Sequence, residues 1–404
     1  MRKILALILA MTMSLSLVSC GGKKTTESNW NIKILNENGE DIIKFGVFEP
    51  QTGPNGPGAI KEVYGIRFAN MLYNTINIKG KEYKIVLDEV DNKSDKAEAP
   101  VAADKLISDK VAVVLGSYGS GVSIAAGGKF KNSKLPAIGC SCTNPQVTLG
   151  NEYYFRTCFL DSMQGRAMAA YAKSKGYDKV AVITESGDDY SEGLGIFFEE
   201  GCKEKGIEVV DHERFQTNEQ SFTAYLTNIK GKEPQFIYAP TSITSAPLIL
   251  KQARELGITC QIGAGDTWDD GDLTYNGGNA ADGAILTTFY AADPNKAEGE
   301  EKVFLNGRDN IPGFLEYLHT YSSVDKSIPA VSALGYDAYL AAYKAIEKAQ
   351  STDGEDIRKA LVNLEFTGVT GKIAFDLNGD VAKDEAFIKE VQNGEFVSLG
   401  TQQK

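Results

Sequence analysis

Residues 41–72 read DIIKFGVFEPQTGPNGPGAIKEVYGIRFANML, and the order of features in this stretch decides the fold. Ile42 to Phe48 is apolar and rich in β-branched and aromatic residues, as expected of a strand buried on both faces. Gly53, Pro54, Gly56, Pro57 and Gly58 interrupt regular structure and make a loop. Beyond them Ile60, Val63, Tyr64, Phe68, Met71 and Leu72 recur at helical spacing, giving one stripe to bury. Strand, loop and helix form the first part of a βαβ unit, and Tyr83 to Leu87 supplies the next strand.

The alternation continues outward from there. A helix over 96–108, a strand from Val111 to Leu115, a glycine and serine turn from Gly116 to Gly121, and strands from Leu135 to Gly139 and Tyr153 to Thr157 complete a first group. A second α/β unit then begins. Its strands are Val180–Thr184, Ile207–Asp211, Phe236–Ala239 and Thr259–Gly263, with helices expected at Met163–Ser174, Glu192–Lys205, Phe222–Ile229 and Thr244–Leu256. A chain of 404 residues exceeds one average hydrophobic core, so two lobes follow. Open sheets of this kind place the loops after their strands around a shared cleft. From 284 a strand runs through Thr288, followed by a polar stretch to about 310 and apolar helices at 312–322 and 332–349. Gly371 to Phe375 with Asp376, Asn378, Gly379 and Asp380 reads as a hairpin, and Ala386–Val391 and Phe396–Leu399 as antiparallel strands. The three polar residues lack the later glutamate of a calcium loop and form a plain turn.

Arg2 and Lys3, an apolar run from Ile4 to Val18 and the sequence Leu17-Val18-Ser19-Cys20-Gly21 have the form of an export signal over residues 1–19, too short to span a bilayer. Residues 20–40 read as a tether, small and polar at its start. The formal charge of −12 opposes nucleic-acid binding, and loss of Arg2 and Lys3 with the leader makes the chain more acidic still. Beyond Cys20, five cysteines remain (Cys140, Cys142, Cys158, Cys202, Cys260), an odd number that leaves at least one unpaired within the chain. His212 and His319 lack ligand spacing to any cysteine pair, so neither a metal nor another cofactor is expected.

Several motifs carry a resemblance. Phe45–Phe48 followed by Thr52-Gly53-Pro54, the turn Gly116–Ser120, Thr143-Asn144-Pro145, Asp161–Gly165, Tyr190-Ser191-Glu192-Gly193, Leu250-Lys251-Gln252-Ala253-Arg254 before Gly257, and Gly371–Gly379 occur in the order and spacing of the periplasmic leucine/isoleucine/valine-binding proteins of ABC transporters. The resemblance runs from about residue 42 to the C-terminus, and Leu17 to Cys20 resembles the bacterial lipoprotein box, in which Cys20 would carry lipid. It implies a type I periplasmic binding protein, α/β, with two Rossmann-like lobes and three hinge crossovers. The first lobe would comprise 41–160 plus 290–367, the second 161–289 plus 368–404. It further implies a non-catalytic, monomeric, extracytoplasmic protein that hands a free amino acid to membrane permease subunits.

A free amino acid needs hydrogen-bond donors for its carboxylate and an anion for its ammonium. Ser120, Ser141 and Thr143 follow strands, where hydroxyls and free N–H groups could hold a carboxylate, and the resemblance assigns them that role. It places Asp266 against the ammonium, in a position more often occupied by glutamate, and Tyr190 over the ligand. At the side-chain end this chain departs from the family pattern. Gly58 and Ser242 stand where the family has aromatic residues, Tyr118 and Trp268 are new aromatic mass, and Glu49 and Gln51 are candidate polar readers. The family disulfide is replaced by Asp91 and Gly119. A neutral branched-chain or aromatic amino acid is expected, with urea, a short-chain amide or another small polar metabolite, or a sensing role, as the alternative. Asp188, Asp189, Asp266, Asp269, Asp270 and Asp272 provide carboxylates and His212 a possible base, but no nucleophile elbow, phosphate loop or metal-ligand set accompanies them, which disfavours an enzyme.

Overall fold

In the computed structural model, which describes residues 33–404 apart from Asn38, the run from Ile42 to Phe48 lies inside β2 (Glu40–Glu49), with a short antiparallel partner β1 (Ile34–Glu37). The expected export signal, Cys20 and most of the expected tether lie outside the described residues. Helix α1 (Gly56–Leu72) begins inside the expected loop, because Pro57 falls in its first turn, where a missing N–H forfeits no intrahelical bond. A hairpin of β3 (Thr75–Ile78) and β4 (Lys81–Asp91) follows. The lobe continues with α2 (Ala99–Ser108), β5 (Val113–Leu115), α3 (Ser120–Asn132), β6 (Ala137–Gly139) and β7 (Tyr154–Arg156). The strands are ordered β3-β4-β2-β5-β6-β7, and β2 pairs in parallel with both β4 and β5.

The second lobe opens with α4 (Asp161–Ser174), β8 (Lys179–Ser186), α5 (Asp189–Glu204) and β9 (Glu208–Gln216). It goes on through α6 (Thr223–Gly231), β10 (Phe236–Tyr238), α7 (Ala246–Glu255), β11 (Gln261–Ala264), α8 (Gly271–Gly277) and β12 (Ile285–Thr288). Helices α9 (Gly299–Asn306), α10 (Phe314–His319), α11 (Ala330–Ala349) and α12 (Gly354–Val362) return to the first lobe, as does the hairpin β13 (Glu365–Gly368) and β14 (Gly371–Ala374). The chain ends with β15 (Glu385–Gln392) and β16 (Glu395–Gln403), which extend the second sheet to the order β16-β15-β12-β11-β10-β8-β9. Both sheets therefore reverse their winding in the middle, between β2 and β5 in one and between β8 and β10 in the other. Crevices at such reversals are where open α/β sheets hold ligands.

The lobes are joined three times. The first two passages run side by side, with the rings of Phe159 and Phe289 4.1 Å apart. The third lies near residue 383 and not at 367, because the segment after β14 stays on the first lobe. Ile373, Phe375 and Val381 belong to that lobe's core, and Asp380 accepts a 2.5 Å bond from Arg156. Arg156 itself is fully buried and also donates to the carbonyls of Cys142 and Asn144. Asp376 is the turn former expected there, accepting from the N–H groups of Asn378 and Asp380.

Each sheet has a hydrophobic core on both faces. Helix α11 crosses α1 at backbone contact. A Cβ on Gly65 would stand 1.9 Å from the Ser332 carbonyl oxygen and one on Gly335 2.3 Å from that of Glu62. This crossing fixes the face of α1 that carries Lys61 and Glu62 toward the cleft.

Candidate ligand-binding site

Between the lobes lies a small cavity whose wall comes entirely from loops leaving the C-terminal ends of parallel strands, or from the first turn that follows. Asn55 follows β2, Tyr118 and Gly119 follow β5, and Ser141 follows β6. From the second lobe, Asp188 and Tyr190 follow β8, Ser242 follows β10, and Asp266 and Thr267 follow β11. Six strand ends of two sheets thus converge on one small space.

Asp266 is 3 % exposed and opens a 3₁₀ turn at Asp266–Trp268. Gln164 of α4 grips it at two points: its Nε2 donates to Asp266 Oδ1 at 2.8 Å, and its Oε1 accepts from the Asp266 N–H at 2.9 Å. Thr287 of β12 donates to the same Gln164 oxygen, which fixes the amide's orientation. The Tyr190 hydroxyl adds a 3.0 Å bond to Asp266 Oδ1. Both side-chain donors fall on Oδ1, which leaves Oδ2 for a bound group. Burial pushes the Asp266 carboxyl up to about 7, although the bonds from Gln164 and Tyr190 work against that rise. Asp188 is pushed up to about 7 as well, by burial and then by the charge of Glu185. Among the described residues neither carboxylate has a cationic partner. Closing such a site over a ligand demands positive charge.

On the first-lobe side, Ser141 Oγ donates to Glu62 of α1, and Glu49 Oε2 accepts the Tyr118 N–H at 2.7 Å. Glu49 and Glu62 are buried together beneath the cavity wall, each with its Oε1 lacking a hydrogen-bond partner, and with Cys140 their donor atoms lie within 4.8 Å of one another. Burial pushes both carboxyls up, Glu49 well above its ordinary range with the Glu62 charge adding to the rise. Burial and mutual repulsion disfavour the doubly charged pair, which sets the position of two wall residues, Tyr118 and Ser141.

The expected site residues divide into three groups. Tyr118, Ser141, Tyr190, Ser242 and Asp266 meet at the cavity. Ser120 and Thr143 are buried just behind it: Ser120 opens α3 and its Oγ accepts the Asn144 N–H at 3.2 Å, while Thr143 Oγ1 and both carboxylate oxygens of Asp161 are buried without a hydrogen-bond partner. Burial pushes Asp161 up to about 8. The remaining three stand elsewhere. Trp268 is fully buried in the second-lobe core, because the 3₁₀ turn that aims Asp266 at the cleft aims the residue two positions later into the protein. Gln51 is exposed and tied through its backbone to Asp91, and Glu49 supports Tyr118 from below without reaching the surface.

Asn55, Asp188, Thr267, Gln164 and Glu62 were not expected at the ligand. Asp188 was legible as the residue two before Tyr190 at the end of β8. Gln164 and Glu62 carry no sequence signal, since both act through a partner more than 70 residues away.

The lobes touch around the cavity. Lys96 reaches Asp189 at 2.5 Å and donates to the Gly187 carbonyl at 2.9 Å, and Asn144 Nδ2 donates to the Asp189 carbonyl at 2.8 Å. Lys61 of α1 is buried between Asp270 at 2.9 Å, the N-cap of α8, and Asp325 at 2.7 Å. Asp325 in turn accepts the Gly271 N–H. The clamp is closed.

Two α/β lobes joined by three passages, with a charged cavity at the facing strand ends, define a solute-binding protein that closes on its ligand. Residues 42–395 match the model of the periplasmic binding protein family, and the chain belongs to it, within the branch typified by Leu/Ile/Val-binding proteins. The leucine-binding protein LivK of Thermotoga maritima superposes with a TM-score of 0.80 at 33% identity, over 90% of this chain and 99% of that one. LivJ of Streptococcus pneumoniae, solved with isoleucine, gives 0.78 at 27% identity, over 90% and 99%. The leucine-, isoleucine-, valine-, threonine- and alanine-binding protein of Pseudomonas aeruginosa is 25% identical over 346 residues, 84% of this chain and 87% of the relative. The chain is thus an extracytoplasmic solute-binding component of an ABC transporter, a family whose role is capture and not catalysis.

Proposed function

We propose that this protein captures a free α-amino acid and delivers it to its permease while held to the membrane by lipid on Cys20. The observation that carries the ligand class is Asp266. Its carboxylate is buried, oriented by Gln164 and Tyr190, and left without a cation, a combination that an ammonium group completes. The start of α3 at Gly119 and Ser120 offers N–H groups for the carboxylate, beside Ser141, whose hydroxyl is bonded to Glu62, with Thr143 behind. The three relatives described above, two of them named for leucine or several small amino acids and one solved with isoleucine, support the same class. Urea or a short-chain amide would leave Asp266 unpaired in a closed site. Calorimetric titration of the twenty amino acids, urea and acetamide into the soluble mature protein tests this. Saturable binding of at least one amino acid is expected, and binding of urea or acetamide alone overturns the reading. The lipid attachment rests on Leu17-Val18-Ser19-Cys20.

A further inference from the structure

Resting on the amino-acid reading above, we infer that the ligand carries a short hydrogen-bonding side chain, of the hydroxyl or amide class, and not a branched aliphatic or aromatic one. The composition of the wall makes the case. None of the residues that line the cavity has an aliphatic side chain. Away from Asp266 and Ser141, which serve the charged groups of the ligand, the surface is built from Asn55, Asp188, Ser242 and Thr267: an amide, a carboxylate and two hydroxyls. Thr267 Oγ1 already donates to the Thr241 carbonyl at 2.8 Å and Ser242 Oγ is bonded to Thr244 and Ser245, so the groups a leucine side chain would dehydrate are the Asn55 amide and the Asp188 carboxylate, which has no cationic partner.

The two aromatic residues at the cavity do not restore an apolar pocket. The Tyr190 hydroxyl is committed to Asp266 at 3.0 Å. Tyr118 fills the space above Gly58, where a Cβ would stand 2.7 Å from its hydroxyl oxygen, so the room opened by that glycine is occupied by the protein itself. The adjoining space beyond Asn55 and Asp188 has Pro54 and Val122 in its wall, but most of its side chains are polar, among them Ser94, Lys96, Glu185 and Thr217, and Lys96 is already engaged with Asp189. The side-chain end therefore presents the Asn55 amide and the Asp188 and Glu185 carboxylates, which favours a donor on the ligand and opposes an acidic side chain.

Matched pairs of nearly equal shape isolate the polar group. Threonine against valine, and asparagine against leucine, are to be titrated calorimetrically into the mature protein stripped of endogenous ligand by denaturation and refolding. At least one polar member is expected to bind ten-fold or more tightly than its apolar partner, because a site built to pair with a hydroxyl or amide rejects the analogue that lacks it. Asn55→Leu is expected to narrow that ratio by improving the apolar member, a change that a merely damaged site would not produce. Valine or leucine binding as tightly as threonine or asparagine overturns the inference while leaving the amino-acid reading intact, as does arginine or lysine binding tighter than all four. Binding of no amino acid, with a urea, amide or benzoate response instead, overturns the amino-acid reading itself.

Discussion

Replacing Asp266 by asparagine should weaken binding and stabilise the empty protein, two effects of opposite sign from one atom pair. Asparagine keeps the shape and one oxygen for the Gln164 and Tyr190 bonds, at 2.8 and 3.0 Å, but removes the charge. An ammonium about 3 Å from a carboxylate gains roughly 5 kcal/mol at an effective dielectric of about 20, before dehydration is subtracted. Loss of the charge should therefore cost about 2–4 kcal/mol, a rise in Kd of roughly 30- to 1,000-fold. The ligand-free protein responds the other way. Its Asp266 carboxyl is raised from 3.8 to about 7, so the folded state holds that proton more tightly than the unfolded chain does. Stability is then complete below about pH 4 for this group and declines as pH rises toward 7, by up to about 4 kcal/mol. Asp266→Asn removes that decline. At pH 8 calorimetry should report the loss of affinity while thermal melting of the empty variant shows a Tm equal to or above the wild type. Across pH 5.5 to 8 the wild type should bind more weakly as pH falls through 7, with Asp188 and Asp161 titrating in the same range, and the variant's profile should be flatter. An affinity within three-fold of wild type, or a lowered Tm in the empty protein, would refute the assignment of Asp266 as the ammonium's partner.

Lys96→Ala removes a half-exposed contact between the lobes and should raise Kd no more than about five-fold, with the effect fading at high salt. Lys61→Met, by contrast, leaves Asp270 and Asp325 buried without their cation, and calorimetry should report a loss of more than ten-fold, since breaking one side of a buried ion pair costs about 3–5 kcal/mol. Asp380→Asn strips the fully buried Arg156 of its carboxylate and should lower the denaturation midpoint by a comparable energy without a large change in Kd. Cys20→Ala, if the cysteine bears lipid, should abolish labelling by a fatty-acid analogue and release the protein from the membrane fraction.

The sheet-forming strands were legible because burial on both faces leaves uninterrupted apolar runs such as Ile42–Phe48 and Val180–Thr184, and the helices between them because their stripes are periodic. The strand β3 escaped notice: Thr75 to Ile78 is four residues long, alternates, and is recognisable only beside its partner β4. The third passage between lobes was misplaced for a different reason. Whether residues 369–382 belong to one lobe or the other depends on Arg156, Phe155 and Asp337, to which Asp380, Phe375 and Val369 are joined, and no local pattern announces contacts of that range.

The same distinction governs the site. Residues directly after strands were legible as cleft residues because topology alone puts them there, and Tyr118, Ser141, Tyr190, Ser242 and Asp266 all qualify. Trp268 and Glu49 failed because proximity in sequence to such a residue says nothing about which way a side chain points once the chain turns: the 3₁₀ turn sends Asp266 outward and Trp268 into the core, and Glu49 ends β2 facing the protein. The expectation of a branched-chain or aromatic ligand drew on Trp268 as aromatic mass that would refill the space left by Gly58 and Ser242. With Trp268 in the core and the Tyr118 hydroxyl over Gly58, that support goes, and the cavity wall is left with Tyr118 and Tyr190 among amide, hydroxyl and carboxylate groups. Head-group recognition follows from where strands end, which the fold dictates. Side-chain recognition follows from the orientation of a few residues in the loops beyond, which no strand end dictates.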